Sequence, residues 1–164
     1  MIEIKHKKTE QVLFQSQAET LEYAMLPGIN LEEADLAGVN LSGSDLHGAN
    51  LNRAMLQRTD MQFVDLTGTS LCWAELADAN LNTADISLAN LYGANLAGAC
   101  LSGANLYGTD LRHADLTGSN LLGADLLDAK LRNAKLDNAR YNIETRWPAG
   151  TNPNKLGALL VTES

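Results

Sequence analysis

Carboxylates recur at 20-residue intervals in the middle of the chain. Asp45, Asp65, Asp85 and Asp125 share this spacing, and Asn105 occupies the intervening place. If residues 20 apart lie above one another, these four aspartates form a ladder of like charges, which we call the acidic column. Like charges about 5 Å apart repel modestly in water, and such a ladder could imitate a nucleic-acid strand. The simpler interpretation is that Asp is common at this position because its side chain can bond nearby backbone.

A second set of residues combines aromatic and cationic side chains at the same spacing. Arg53 lies 20 residues before Trp73, and Tyr92 lies 20 residues before Arg112. We call these four residues the aromatic surface. Exposed Trp, Tyr and Arg are the residue types that anchor protein interfaces, and Arg53 beneath Trp73 predicts a cation–π contact. The alternative is an isolated surface stack without a partner.

The other reactive residues are too scattered to predict a catalytic or metal site. His6, His47 and His113 fall in different parts of the repeat, and Cys72 and Cys100 are expected on opposite sides of the molecule. Catalysis needs such groups to converge in a concave site. The sequence therefore predicts no catalytic residue, no cofactor and no metal ion.

The 20-residue spacing follows from a shorter period of five. Every fifth position from Leu31 to Tyr141 is large and apolar, and 20 of these 23 positions are Leu. Neither an α-helix nor a flat strand keeps such a set on one side. A small residue, usually Ala, stands two positions before most of these Leu residues, and Gly often stands two positions after them. Glycine there suits the third position of a type II turn, which needs φ > 0.

These features predict an all-β solenoid with a square cross-section. Each five-residue unit makes one side, Leu and Ala point inward, and four sides make a coil of 20 residues. Coils stacked at about 4.8 Å would form a filled rod without a pocket. Residues 24–141 then supply about six coils.

The two ends differ from the repeat and are expected to act as caps, because a coil stack exposes backbone and apolar surface at each end. Residues 2–6 and 11–15 alternate in polarity and predict a β-hairpin, so residues 1–23 form the expected N-terminal cap. Residues 142–164 break the period and form the expected irregular C-terminal cap, closed by Tyr141 and Trp147.

The unit seen in Ala34-Asp35-Leu36, Ala94-Asn95-Leu96 and Ala124-Asp125-Leu126 resembles the pentapeptide-repeat family. The resemblance covers about 118 of the 164 residues and implies a right-handed quadrilateral β-helix. The C-terminal pattern, in which Tyr141 is followed by Thr145, Trp147 and Pro148, is similar to the endings of cyanobacterial members. Many members have no assigned biochemical activity, which favours a non-catalytic scaffold that binds a protein partner.

The resemblance also implies an alternative, an acidic DNA mimic that binds DNA gyrase or topoisomerase and protects it from quinolones. A net charge of −8 fits that alternative. Members with that activity resemble dimers joined by an apolar C-terminal helix, and some carry loops that interrupt the coils. Here the coils are uninterrupted, and Pro148 and Pro153 break helices. The C-terminal coil is also basic, with Lys130, Lys135 and Arg140, which spoils a continuous negative surface.

Composition bounds the remaining expectations. A net charge of −8 argues against direct nucleic-acid binding, which needs clustered Lys and Arg. The chain has neither an apolar run long enough to span a membrane nor an N-terminal apolar segment typical of a secretion signal. We therefore expect a cytoplasmic monomer without membrane contact, bound to a protein partner of unknown identity.

Overall fold

The computed structural model describes residues 1–162 and consists of strands, isolated β-bridges and turns, with one short 3-10 helix. Within this range there is no α-helix, and the predicted all-β class is confirmed. No helix of residues 1–162 is long and apolar enough to cross a membrane. The regular elements are β1 (Ile2–His6), β2 (Val12–Ser16), β3 (Ala34–Asp35), β4 (Arg140–Tyr141), the 3-10 helix (Pro153–Leu156) and β5 (Leu159–Leu160).

Parallel β-bridges join residues that are 20 apart along the whole repeat. They begin with Met25 and Asp45 and recur every five residues up to Asn120 and Arg140. Each 20-residue coil therefore lies beside the next in fixed register. The expectation that residues 20 apart stack above one another is confirmed.

All five backbone N–H groups of a repeat unit find acceptors, as the unit 85–89 illustrates. The amides of Asp85, Ile86 and Leu88 donate to carbonyls of neighbouring coils at 2.8–2.9 Å. The amide of Ser87 donates to Oδ1 of Asp85 at 3.0 Å. The amide of Ala89 closes the turn onto the carbonyl of Ile86 at 3.2 Å. Because buried or crowded backbone groups must be paired, the Asx side chain is part of the fold.

The core consists of the Leu positions and the small residues two positions before them. Leu91 is 1% exposed and Ala94 is 0% exposed, and this pattern holds through most of the repeat. Near the ends the small positions open up, so that Ala24, Ile29 and Ala134 are only partly buried against the core. The inward orientation of these two positions follows from burial of apolar surface.

The turn between successive sides requires a left-handed residue whether or not that residue is glycine. Glycines of the repeat have φ of 64–70°, as predicted. Thirteen non-glycine residues at the same position also have φ of 55–63°. They are Tyr23, Glu33, Arg53, Arg58, Phe63, Trp73, Asp78, Thr83, Leu88, His113, Asp128, Asn133 and Asn138. The fold imposes this conformation, although it is unfavourable for residues with a Cβ.

The predicted N-terminal hairpin is present. Strands β1 and β2 pair antiparallel, with Ile2 opposite Ser16 and Ile4 opposite Phe14. The other edge of β1 pairs antiparallel with β3. Ile4 is 2% exposed and joins the core cluster, so the hairpin covers the apolar end of the stack.

The C-terminal segment continues the stack before it departs from it. Arg146 bridges to Asp125 across 21 residues, so one extra residue is accommodated by the turn in which the Thr145 amide donates to the Asn142 carbonyl. Tyr141 and Trp147 then pack edge to face with ring centroids 5.5 Å apart. Strand β5 pairs parallel with β4, which adds a short strand to the last coil.

Candidate functional site

The residues of the aromatic surface project outward because they occupy the two turn positions that follow each inward Leu. The Trp73 amide donates to the Tyr92 carbonyl at 3.0 Å, and the Gly93 amide donates to the Arg112 carbonyl at 3.0 Å. These bonds hold the turns of successive coils side by side. Side chains of neighbouring turns are therefore brought into contact by the backbone ladder itself.

Three aromatic rings follow one another along this line of turns. The rings of Trp73 and Tyr92 have centroids 5.6 Å apart and an interplanar angle of 75°. The Tyr92 ring lies 5.1 Å from the ring of His113, tilted by 50°. His113 in turn hydrogen-bonds through Nε2 with Nδ2 of Asn133 at 3.2 Å. Trp73 is 54% exposed, so the series presents aromatic surface to solvent.

Trp73 takes its position because the next coil has a glycine beneath it. A Cβ placed on Gly93 would lie 2.5 Å from Cε3 and 2.6 Å from Cζ3 of the Trp73 ring. The indole therefore rests directly on the backbone of Gly93. This contact directs the ring toward the C-terminal coils and away from Arg53.

The predicted cation–π pair between Arg53 and Trp73 is accordingly wrong. The cation–π contact found within residues 1–162 joins Arg112 and Tyr92, with the guanidinium carbon 5.7 Å from the ring centroid. Nη1 of Arg53 instead lies 3.9 Å from Oε1 of Glu33. The sequence placed the residues in the right columns but could not give the direction in which the indole leans.

Arg112 is held over Tyr92 by a carboxylate in its own turn. Its Nε donates to Oδ1 of Asp110 at 2.8 Å and its Nη2 donates to Oδ2 at 2.6 Å. These hydrogen bonds from Arg112 lower the pKa of Asp110 and raise the pKa of Arg112. A bidentate pair of this kind fixes the plane of the guanidinium.

Two lysines and a histidine around Glu33 attach the N-terminal hairpin to the same side of the molecule. His6 Nε2, Lys7 Nζ and Lys8 Nζ lie 3.7–4.0 Å from Oε2 of Glu33. The Lys7 ammonium also donates to the Arg53 carbonyl. Sequence reasoning missed this cluster because it joins residues far apart in the chain.

The acidic column forms as predicted in position, with bridges joining Asp45, Asp65 and Asp85 in turn. In each of its four aspartates, Oδ1 accepts the amide two residues later at 2.9–3.0 Å. All sixteen Asn and Asp residues at this position between 30 and 125 make this bond. The simpler interpretation therefore accounts for the residue type.

Two members of the acidic column have lowered pKa values. Hydrogen bonds from the backbone and side chain of His47 lower the pKa of Asp45. Burial raises the pKa of Asp85, but hydrogen bonds from Ser87 and Asn105 outweigh it, and the net pKa is lowered. Both side chains are therefore ionised at neutral pH.

One group in the acidic column has donor atoms close enough to share a cation. Asp45, His47 and Asp65 each place one such atom within 4.8 Å of the others. However, Nδ1 of His47 is already 2.7 Å from Oδ1 of Asp45, and Oδ1 of Asp65 accepts the Thr67 amide. A metal ion would compete with these contacts, and the expectation of no metal site stays a prediction.

Depressions on the surface of residues 1–162 include the following two. One of about 430 Å³ is lined by Ala37, Gly38, Met55, Gln57 and Arg58. The other, of about 300 Å³, lies beside Ile143 and Glu144 in the C-terminal cap. The second lining also contains Thr162, but among residues 1–162 no hydrogen bond joins its hydroxyl to Glu144, as an activated nucleophile would need.

Comparison with known proteins establishes the family. The sequence model of the family described as pentapeptide repeats matches this chain in eight copies, over the overlapping segments 20–53, 34–71, 65–106 and 104–140. The chain therefore belongs to the pentapeptide-repeat family, as the five-residue period indicated. No curated protein matches the chain.

Several solved structures are similar to it. A pentapeptide repeat protein of the Arabidopsis thaliana thylakoid lumen is 34% identical, with 60% of this chain and 72% of that chain covered and a TM-score of 0.50. The pentapeptide repeat protein Rfr23 of the cyanobacterium Cyanothece 51142 is 26% identical, with 75% and 87% covered and a TM-score of 0.50. QnrB1, a plasmid-mediated fluoroquinolone resistance protein, is 19% identical, with 85% and 81% covered and a TM-score of 0.45. That last likeness is too distant to bear on function.

Proposed function

We propose that this pentapeptide-repeat protein is a non-catalytic scaffold that binds a protein partner through its aromatic surface. The observation that carries the proposal is Trp73, a 54% exposed indole held between the Gly93 backbone and Tyr92. A large aromatic side chain that is already ordered loses little conformational entropy on binding. Trp, Tyr and Arg are also enriched among residues that dominate binding energy.

The scaffold that we infer is a right-handed quadrilateral β-helix of about six coils. Bridges at every fifth residue and pairing across 20 residues support four sides per coil. The left-handed turn residue between successive bridges supports a corner at each unit. Flat, rigid sides suit presentation of side chains rather than enclosure of a substrate.

The proposal is tested by selecting binders from a displayed random-peptide library against the folded protein. Peptides enriched on the wild type should lose binding to Trp73→Ala. The matched control is Phe63→Ala, because Phe63 is 69% exposed and occupies the same left-handed turn position in another column. Enriched peptides that bind Trp73→Ala as well as wild type, or that depend equally on Phe63, would refute the assignment of the surface.

The acidic column supports a second candidate function, that of a DNA mimic acting on DNA gyrase or topoisomerase. Its carboxylates are stacked in register, and the lowered pKa values of Asp45 and Asp85 keep them charged. Asn105 interrupts the column, and Arg146 neutralises Asp125 through an Nη1–Oδ2 contact of 2.7 Å. A gyrase supercoiling assay tests this function: inhibition relieved by Asp65→Asn would support it over the scaffold.

The remaining expectations are carried forward as proposals. We propose that the protein acts as a monomer in the cytoplasm and binds neither nucleic acid nor membranes directly. Sedimentation over a range of concentrations tests the monomer, since concentration-dependent growth of the particle would contradict it.

A further inference from the structure

Cations are concentrated on the side of the molecule that carries the aromatic surface. We call this side the basic strip, and it comprises residues 30–33, 50–53, 70–73, 90–93, 110–113 and 130–133. It contains three carboxylates and the four cations Arg53, Arg112, Lys130 and Arg132. Lys7 and Lys8 of the hairpin add two more cations beside Glu33. In a chain of net charge −8, this strip has a local positive excess.

The neighbouring sides have the opposite charge. The four-residue stretches that begin at each residue of the acidic column and at Asn105 carry five carboxylates and no lysine or arginine. On the other flank, the stretches that begin at Asp35 and at every twentieth residue up to Lys135 carry five carboxylates and two cations. The positive excess is therefore a narrow stripe between two acidic sides.

The unpaired part of this positive charge lies at one end of the stripe. Arg112 forms an ion pair with Asp110, and Arg53 forms one with Glu33. Lys130 and Arg132 are exposed, and neither forms a salt bridge with any residue of the described range 1–162. After the hydrogen bonds from Arg112, the charge of Lys130 also helps to lower the pKa of Asp110, but no ion-pair contact within that range holds Lys130 or Arg132, so both can contact a ligand.

The backbone ladder fixes how far these cations lie from the aromatic anchor. Backbone hydrogen bonds run from the Trp73 amide to the Tyr92 carbonyl, from the Gly93 amide to the Arg112 carbonyl, and from the His113 amide to the Arg132 carbonyl. Three coil spacings of about 4.8 Å place Arg132 about 14 Å from Trp73 along the stack. An extended chain rises about 3.3 Å per residue, so about four residues cover this distance.

We propose, on the basis of the function proposed above, that the basic strip binds a short extended acidic segment of a partner protein. An aromatic or aliphatic side chain of the segment packs on Trp73 and Tyr92. Carboxylates about four residues away along the segment pair with Lys130 and Arg132. The segment runs along the stack, so that its backbone stays over the strip and away from the acidic sides.

A single-stranded nucleic acid fits the same surface less well. Aromatic stacking and cations are also features of single-strand binding sites. However, those sites track a long backbone with continuous positive charge, whereas here the stripe is flanked on both sides by carboxylates. Interactions beyond about 8 Å are screened at physiological salt, which favours a short ligand with few charges.

The test uses Trp73 as the reporter. Trp147→Phe leaves Trp73 as the sole tryptophan; Nε1 of Trp147 has no hydrogen-bond partner, and Phe can keep the ring contact with Tyr141. The first probe is an acetylated, amidated peptide with one Phe followed after three Gly or Ser residues by three Glu residues. The second replaces each Glu by Gln, and the third is an oligothymidylate. Each is titrated while Trp73 fluorescence is followed, up to about 1 mM, the weak end of specific binding.

We expect the Glu peptide to shift Trp73 fluorescence saturably and to bind more tightly than the Gln peptide. Lys130→Glu and Arg132→Glu together should weaken binding by about threefold to tenfold, the range of a few exposed ion pairs. Lys135→Glu is the matched control, since Lys135 occupies the same repeat position on the next side and should have little effect.

Equal affinity for the Glu and Gln peptides would overturn the acidic preference while leaving the aromatic surface as a binding site. The proposal that the basic strip binds an acidic segment would also be overturned by the absence of any saturable response or by tighter binding of the oligothymidylate. It would be overturned as well if Lys135→Glu weakened binding as much as the change of Lys130 and Arg132. If the library selects peptides that bind through Trp73 but lack carboxylates, the acidic segment is refuted while the proposed function stands.

Discussion

Gly93 and Gly48 form a natural pair for testing how the aromatic surface is held. Both stand at the left-handed turn position, with φ of 67° and 64°. A Cβ on Gly48 would meet nothing within 4 Å, whereas a Cβ on Gly93 would come 2.5 Å from the Trp73 ring. Replacing each by Ala therefore imposes similar backbone strain, and Gly93→Ala alone adds a clash with Trp73.

The size of each effect follows from these contacts. The left-handed conformation destabilises a residue with a Cβ by about 1–2 kcal/mol. Replacing Gly by Ala also lowers the conformational entropy of the unfolded chain, which stabilises the fold by about 0.4–1 kcal/mol. Gly48→Ala should therefore cost about 1 kcal/mol. Carbon atoms prefer a separation of about 3.5–4.0 Å, so Trp73 must swing away in Gly93→Ala and lose its pairing with Tyr92, worth about 0.5–1.5 kcal/mol. The expected total for Gly93→Ala is about 1.5–2.5 kcal/mol.

Urea unfolding followed by circular dichroism measures both costs, and the same pair of substitutions in a Trp73→Ala background measures the coupling. Without the indole, Gly93→Ala should cost no more than Gly48→Ala. The coupling should appear in thermal melts as a difference of a few degrees, since about 1 kcal/mol shifts Tm by about 2–4 °C at this chain length. Equal costs for the two glycines in the wild-type background would refute the placement of Trp73 on Gly93.

Four further substitutions test the core, the turns and the carboxylates. Leu91→Asp should unfold the rod because Leu91 is 1% exposed, whereas Leu88→Asp should be tolerated at a position 62% exposed; thermal melts that coincide would contradict the inward and outward assignment. Thr83→Gly should stabilise by roughly 1 kcal/mol, because a β-branched residue is strained at φ of 56°, and a lower urea midpoint would contradict this. The pKa of Asp85 is lowered in the fold. The ionised Asp85 therefore stabilises the fold above about pH 3.9, the usual Asp value, and this stabilisation is lost as pH falls through the lowered pKa. Asp85→Asn should make the free energy of unfolding depend less on pH in the acid range.

The period and the columns could be predicted from sequence because burial determines them. Leu at every fifth position and Ala two before it specify which side chains point inward, and the single phase of the glycines specifies the turn. The N-terminal hairpin was predictable from alternation in residues 2–6. Its attachment through Glu33 was not, because the charges of Lys7 and Lys8 have many possible partners until the chain is folded.

The failed contact between Arg53 and Trp73 shows which information the columns lack. Stacking specifies neighbours but not the direction of a side chain, and Trp73 leans on the coil that offers room. The signal was present as Gly93, 20 residues after Trp73. Leu88 leans in the same way over Gly108. A large turn residue followed 20 positions later by glycine therefore predicts this contact.

The division of labour within each repeat unit separates structural from functional residues. The Leu and the small residue form the core, and the residue before Leu supplies the oxygen that pairs a turn amide, as Asp85 does for Ser87. Most side chains one and two positions after Leu project outward without such a role; exceptions include Asn52 and Asn82, whose Oδ1 atoms accept the amides of Cys72 and Ser102 in the next coil. The acidic column lies at the residue before Leu, whose side chain pairs a turn amide, whereas Trp73, Tyr92 and Arg132 lie one or two positions after Leu. The fold constrains the identity of these outward side chains less, although the left-handed turn position costs a residue with a Cβ about 1–2 kcal/mol. The aromatic surface is therefore the stronger candidate for function.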